Sequence, residues 1–296
     1  MSDTTAGLRR KINSAGDLQS VVRTMKALAA SSIVQYENSV RALAGYYRAV
    51  ELGLGACLRE SGPAFPTAQR KRKRAAGAIN AVVFGSDQGL VGRFNDVVAD
   101  YAAHALAPLP GPRVWAVGER VHAHLADAGL PPAGLFAVPN SVKAITPLVG
   151  QLLVESGMSR GRGEAAEFHL FYNRPSPGAV YAPVSRRLLP LDEAWRSKAA
   201  GLSWPKGNLP EVMGGGAAVL GALIREYLFV SIFRACAESL ASENASRLAA
   251  MQRADKNIDE LLESLNGTFH RLRQNGIDAE LFDVISGFEA LTAEKS

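Results

Sequence analysis

Proline is missing from both ends of this chain. None occurs before Pro63 and none after Pro210 in the 296 residues, so nothing in either end forces a kink in a helix. Cysteine is nearly missing too. Cys57 and Cys236 are the only two, with no CxxC and no Cys/His cluster, which excludes a disulfide-built fold and the usual structural zinc sites and points to a reducing compartment. Aromatics make up 7% of the residues. The N-terminus, Met1-Ser2-Asp3-Thr4-Thr5, lacks the apolar core of a signal peptide. The one long apolar stretch, Val212 to Phe233, carries Arg225 and Glu226 at its centre, and an Arg there costs about 2.5–3.5 kcal/mol in a bilayer. That stretch reads as a buried helix, so any work at a membrane goes through partners. Charge of one sign is scarce as well: the net charge is +5, with 33 basic and 28 acidic residues. Arg70-Lys71-Arg72-Lys73-Arg74 carries five positive charges by itself, and no aromatics are interleaved with it. A solvated loop or a patch for an acidic partner is the reading, not a nucleic-acid interface.

What is present at both ends is a heptad seam. Leu8, Ile12, Ala15, Gln19, Val22, Lys26, Ala29, Ile33, Tyr36, Val40, Leu43, Tyr47, Val50 and Leu54 alternate spacings of 4 and 3. Only Gln19 and Lys26 interrupt the apolar stripe. At the other end Leu248, Met251, Asp255, Ile258, Leu262, Leu265, Phe269 and Leu272 do the same, with Asp255 as the polar interruption. A repeat averaging 3.5 residues keeps one stripe on a partner helix. Two long helices are expected to pair antiparallel, with Leu54 near Ala217 and Tyr36 near Cys236. That register puts Cys57 and Cys236 roughly 30 Å apart, too far for a disulfide. The second helix outruns the first, leaving an apolar end at Phe282, Val284, Ile285 and Phe288.

The middle reads differently. Gly62-Pro63-Ala64-Phe65-Pro66 ends the first helix and opens a linker. Gly77 to Phe84 is an apolar run of strand length. A glycine-rich turn follows, Gly85 to Asn95, then a helix over Asp96–Leu106. Arg113–Val117 is a second strand and Glu119–Ala128 a second helix. Thr146–Glu155 reads as a helix with Thr146 as its cap and Pro147 in its first turn. Ala166–Tyr172 and Ala179–Val184 read as strands joined by a Pro-rich turn. Alternation of strand and helix predicts a small Rossmann-like α/β domain with a mainly parallel sheet. The expected organisation is a coiled-coil helix at 1–60, an α/β domain at 76–195, and a helix at 211–296 that pairs with the first. This is an α/β insert on an antiparallel two-helix coiled coil.

Chemistry is harder to find. Gly85, Gly89 and Gly92 follow a strand and precede a helix. They do not spell a dinucleotide fingerprint, no Gly-Lys-Ser/Thr occurs, and Asp87 would repel a phosphate. His122 and His124 lie two apart on a helix and do not converge. No catalytic centre, no cofactor site and no metal site is expected.

Five segments resemble one family. Leu8 to Ser14 resembles its basic start, and Arg23-Thr24-Met25-Lys26-Ala27-Leu28-Ala29-Ala30 its T-x-A-M-K-x-V-A stretch. Ser86 to Asn95 resembles S-D-R-G-L-C-G-x-F-N. Glu226 to Met251, followed by Arg273 to Leu281 (R-Q-x-x-I-T-x-E-L), covers most of the C-terminal end. The chain is similar to the gamma subunit of F-type ATP synthases over nearly its full length. Gln88, Val91, Asp278 and Phe288 depart from the family pattern and imply a divergent member, as of an alternate F-type ATPase. The resemblance implies a central rotor shaft, non-catalytic, coupling ion flow through the membrane ring to ATP synthesis or hydrolysis. Its partners would be the alpha and beta subunits, the epsilon subunit and the membrane c-ring, at the cytoplasmic face of a bacterial inner membrane. It marks Lys26, Asp87, Arg273 and Gln274 as partner-binding residues. Two alternatives stand beside it: a coiled-coil adaptor or scaffold with an α/β lobe, and a nucleotide-binding α/β enzyme.

Overall fold

The computed structural model describes residues 4–60, 78–157, 165–191, 193–202, 204, 211 and 216–293. The basic block Arg70–Arg74, the linker at Gly62–Pro66 and the side chains of Ala217 and Phe288 lie outside the described residues. In chain order the elements are α1 (Thr5–Glu60), β1 (Ala78–Phe84), α2 (Phe94–Leu106), β2 (Arg113–Val117), α3 (Glu119–Asp127), β3 (Gly134–Phe136), α4 (Val142–Glu155), β4 (Ala165–Ser176), β5 (Ala179–Leu189), α5 (Glu193–Ala200) and α6 (Gly216–Ala293). Two compact units result: Met1–Leu28 with Leu248–Ser296, and Ala29–Arg247.

In the first unit the start of α1 pairs with the distal part of α6. Ala15 and Val22 are buried against Met251 and Ile258, with Met25, Ala254 and Leu262 packed around them. Leu8, Ala15 and Val22 recur every seventh residue and are each nearly fully buried. The alternate seam positions Ile12, Gln19 and Lys26 are only half-buried. One heptad position therefore makes the knob contact and the other flanks it.

In the second unit a five-stranded sheet runs in the order β3-β2-β1-β4-β5. The β1–β2, β1–β4 and β2–β3 pairs are parallel, and β4–β5 is an antiparallel hairpin. Side chains alternate between the faces. Ala81, Val83, Val114, Ala116 and Phe171 meet α2 and α3 on one face. Val82, Phe84, Trp115, Val117, Phe168, Leu170 and Tyr172 join the core that contains α4, Leu54 of α1, and Tyr227 and Ile232 of α6. Burial on both faces is why β1 is a continuous apolar run and not an alternating one. Within this unit α1 and α6 run antiparallel. An added Cβ at Gly53 would meet Leu223 at 3.3 Å, Tyr47 and Tyr227 have ring centroids 6.0 Å apart, and Tyr46 Oη donates to Glu226 at 2.8 Å. Tyr36 lies beside the buried Cys236, whose thiol burial pushes up and away from the thiolate.

Five elements differ from the sequence expectation. Helix α4 begins at Val142, with Ser141 ahead of it, not at a Thr146 cap, and Pro147 lies inside it. Ile145, Leu148, Val149 and Leu152 are buried along one side while Pro147 is exposed. Packing of that stripe holds the helix across the hydrogen bond that proline cannot donate. β3 has three residues, too few for a periodicity to register. Both hairpin strands extend past their expected ends because each continues to pair, to Ser176↔Ala179 at the turn and Phe168↔Leu189 at the base. Helix α5 (Glu193–Ala200) lies between the expected last strand and the expected helix at 211–296, where the sequence reading places no element. Among the described residues no helix is long and apolar enough to cross a membrane.

Candidate partner-binding site

The three polar interruptions of the two seams meet. Lys26 Nζ lies 2.7 Å from Asp255 Oδ2, Arg23 Nε lies 3.2 Å from Asp255 Oδ1, and Gln19 Nε2 donates to Asp255 at 3.4 Å and to Asp259. Each interruption looks unfavourable in its own helix. Together they replace a knob by a charge-assisted cluster that fixes register. The Lys26 ammonium is engaged by Asp255 of the same chain, on a side chain that stays partly exposed. The hydrogen bond from Lys26 holds the Asp255 carboxyl below the usual carboxylate range, burial opposes this, and Arg23 reinforces it. A lowered native pKa stabilises the fold in full above the ordinary carboxylate range, and that stabilisation is lost as pH falls through the lowered value. Thermal melts across acid pH should show this loss, and Asp255→Asn should flatten it. An unchanged pH profile in that variant would remove Asp255 from acid unfolding.

Asp87 sits in the glycine-rich turn after β1. Its Oδ1 accepts from Glu119 N, the first residue of α3, at 3.0 Å, and its Oδ2 accepts from Val138 N at 2.8 Å. A helix N-terminus is a natural anion site, and here the chain fills it with its own carboxylate. The rest of the turn is closed in the same way. Ser86 N donates to Asn95 Oδ1 and Asn95 Nδ2 to Ser86 Oγ, each at 2.9 Å. Ser86 Oγ donates to Gln88 O at 2.9 Å. Ser246 Oγ of α6 donates to Val91 O. Asn173 Nδ2 donates to Phe94 O at 2.8 Å. The turn lies at the C-terminal end of β1, where the sheet order reverses and α/β folds bind ligands. The side chains of Ser86, Asp87 and Asn95 are spent on the fold.

Facing this turn, α6 carries a buried pair that no sequence motif marks. Arg247 Nη2 lies 2.7 Å from Glu243 Oε1, with the side chains 13% and 7% exposed. Burial pushes the Glu243 carboxyl up, against the pull of Arg247, and Asp87 adds to the rise. The pair borders a cavity of about 210 Å³ shared by Tyr36, Asp87 and Asn140. Its spacing, Glu and Arg four apart on one helix, was visible in the sequence; its burial was not. Among the described residues no group of His, Cys, Asp and Glu is placed to hold a metal ion. His124 lies 2.9 Å from Asp96 instead.

Arg273 and Gln274 are exposed, and neither has a hydrogen bond or ion pair among the described residues. The Gln19–Asp259 and Arg23–Asp255 contacts set the register. Extended at 1.5 Å per residue, it brings the start of α1 level with roughly Arg273. Beyond it Ile277, Leu281, Phe282, Val284 and Ile285 are exposed, Phe282 at 69%. Within the first unit, Lys26 and the Arg273–Gln274 pair do not form one site. Lys26 and Asp87 are held by intrachain contacts, whereas Arg273 and Gln274 adjoin a bare apolar helix surface.

Paired helical ends with an inserted α/β domain define the fold class. The sequence profile described as ATP synthase matches residues 4–291. Curated relatives named ATP synthase gamma chain include that of Salinibacter ruber, 28% identical over 302 residues and covering 96% of this chain and 97% of the relative. That of Clavibacter sepedonicus is 29% identical over 300 residues, covering 97% of each. In fold, the chain resembles one in the Euglena gracilis mitochondrial ATP synthase, OSCP/F1/c-ring, at a TM-score of 0.63 and 17% identity, covering 99% of this chain and 96% of that one. It also resembles one in the central stalk and c-ring of the Tetrahymena thermophila mitochondrial enzyme, at 0.53 and 19%, covering 79% and 99%. The chain belongs to this ATP synthase family, as a gamma-type, central-stalk subunit of an F-type ATP synthase. Neither the adaptor nor the nucleotide-enzyme alternative is supported by these matches.

Proposed function

We propose that the chain is a non-catalytic rotor shaft whose exposed α6 end engages the catalytic subunits. The observation that carries this reading is the end of α6, where Arg273 and Gln274 precede the exposed Ile277, Leu281 and Phe282, with no other helix packed on them among the described residues. Such a surface is poorly suited to water and well suited to an apolar protein sleeve. An Arg beside it can donate charge-assisted hydrogen bonds to a carboxylate of a surrounding subunit, worth about 1.5–3 kcal/mol each. Bonds made at one rotary angle and broken at the next would couple rotation to the affinity of the catalytic sites. Coupling of this kind needs a shaft that resists twist. The Gln19–Arg23–Lys26–Asp255 cluster opposes sliding of one helix on the other.

In this reading the domains divide at 1–60, 76–195 and 211–296, and the α/β domain meets the epsilon subunit and the c-ring. The complex sits at the cytoplasmic face of a bacterial inner membrane, and this chain reaches the bilayer only through partners. Lys26 and Asp87 serve partner binding indirectly, by holding the surfaces they brace. Copurification with a tagged copy of the full chain, with partners identified by mass, tests the assignment: alpha, beta, epsilon and c subunits are expected. Recovery of the chain without alpha and beta would sink it.

The non-catalytic part has its own test. The isolated chain should neither hydrolyse ATP nor bind it tightly at Gly85–Gly92, because Ser86 and Asn95 bond each other, the Asp87 carboxylate occupies the N-terminus of α3, and Gly85–Asn95 contains no lysine. Calorimetry giving micromolar ATP affinity that is lost on altering this turn would overturn it.

A further inference from the structure

A hollow between α1, the β4–β5 hairpin and α6 lies wholly within the second unit. Its volume is about 260 Å³, just below the about 300–1,000 Å³ of pockets for drug-sized ligands. Val40, Pro175 and Ala241 give it apolar walls, and the methylene stems of Arg41 and Arg174 extend them. The hairpin is built irregularly at this point. Successive strand residues point to opposite faces, yet Arg174 and Pro175 both line the hollow. The β4–β5 register shifts between Arg174 and Ser176, and a bulge of this kind re-aims a side chain. Pro175 has no N–H, so it forfeits no ladder bond there. The charges around the hollow differ in what holds them. Glu238 is buried, and its Oε1 lies 2.7 Å from Arg234 Nε. Glu37 Oε2 lies 3.6 Å from Arg41 Nη2, one turn on in the same helix. Arg174 is exposed and has no hydrogen bond or ion pair among the described residues.

We propose that this hollow binds a small amphiphilic monocarboxylate, with its apolar body between α1, Pro175 and α6 and its carboxylate on Arg174. A planar guanidinium matches a carboxylate with two parallel hydrogen bonds. The other carboxylates at the hollow each have an arginine of their own, so the occupant's charge meets the one guanidinium left without a partner. The apolar walls require a body that water solvates poorly, which acetate lacks. The volume suits a single ring or a short acyl chain and not a nucleotide. Because α1, the hairpin and α6 each supply part of the wall, an occupant would tie the hairpin tip to both helices.

The test uses the full chain, with octanoate as the probe at constant ionic strength. Acetate, which lacks the body, and 1-octanol, which lacks the charge, are the controls. Saturable heat is expected with octanoate and none with acetate. 1-Octanol should bind at least about tenfold more weakly, the loss expected for a hydrogen bond to a charged group. Arg174→Gln should bring octanoate down to the affinity of 1-octanol and leave 1-octanol unchanged. Its circular dichroism spectrum should match that of the parent, because this exposed side chain holds nothing in the fold. Absence of saturable binding at millimolar octanoate would overturn the proposal, as would equal octanoate affinity in Arg174→Gln. Octanoate binding should also persist when the chain is assembled with its partner subunits. Its loss on assembly would give the hollow to a segment of a partner, and would overturn the proposal as well.

Discussion

Arg273→Ala combined with Gln274→Ala should lower ATP turnover of the assembled complex several-fold while leaving the stability of the isolated chain within about 1 kcal/mol, the range for exposed surface sites. The physical basis is the asymmetry between the two states of these residues. In the isolated chain both are exposed and make no hydrogen bond or ion pair among the described residues, so truncation removes almost nothing from the fold. In the complex they would sit where the shaft meets the surrounding ring. Each charge-assisted bond lost there is about 1.5–3 kcal/mol that rotation can no longer convert into a change of site affinity. The measurement is steady-state turnover and proton or sodium pumping in reconstituted complexes, beside thermal melts of the isolated chain. Unchanged turnover and coupling would mean that the pair only solvates a helix face, and would remove both residues from the mechanism.

A large loss of stability is expected at a residue of the second unit. Gly118 stands between β2 and α3 with φ 118°, a conformation that side chains other than hydrogen rarely adopt. An added Cβ would lie 2.8 Å from the backbone of Ser86. Ser86 cannot retreat. Its N–H is held by Asn95 at 2.9 Å, its carbonyl accepts from Arg120 N at 3.0 Å, and its side chain is fully buried. Gly118→Ala should therefore cost about 4 kcal/mol, from about 1–3 for the backbone and about 1–3 for overpacking. Gly178 is the control. It has φ 81° in the β4–β5 turn, but nothing lies within 4 Å of an added Cβ, so Gly178→Ala should cost only the backbone part. Urea denaturation of both variants measures the difference. Equal costs at the two sites would show that the Ser86 turn is not the rigid body these hydrogen bonds imply. Asp87 depends on the same geometry, since its carboxylate caps the helix that Gly118 precedes. Loss of Gly118 should loosen both together.

The local pattern of the chain was enough for its main elements. A proline-free heptad seam dictates a long helix from nearest neighbours alone, and α1 and α6 follow it. β1 and β2 follow from short apolar runs bounded by turn residues. The exposure of Arg273 and Gln274 was legible for the same reason: a polar interruption followed by an apolar end has no local partner. Elements that depend on distant neighbours were not legible. β3 is a strand only because β2 lies beside it, and α4 begins before Pro147 because its buried stripe finds the sheet. The site divides along the same line. Lys26 and Asp255 each read as a defect in its own helix, and only the antiparallel pairing, 229 positions apart in sequence, makes them an ion pair. Asp87 reads as a residue that repels phosphate, which sequence determined by charge alone. That it does so by occupying the N-terminus of α3 was decided by the tertiary structure, because a helix end and the turn that caps it meet only once the sheet has brought β1 beside β2.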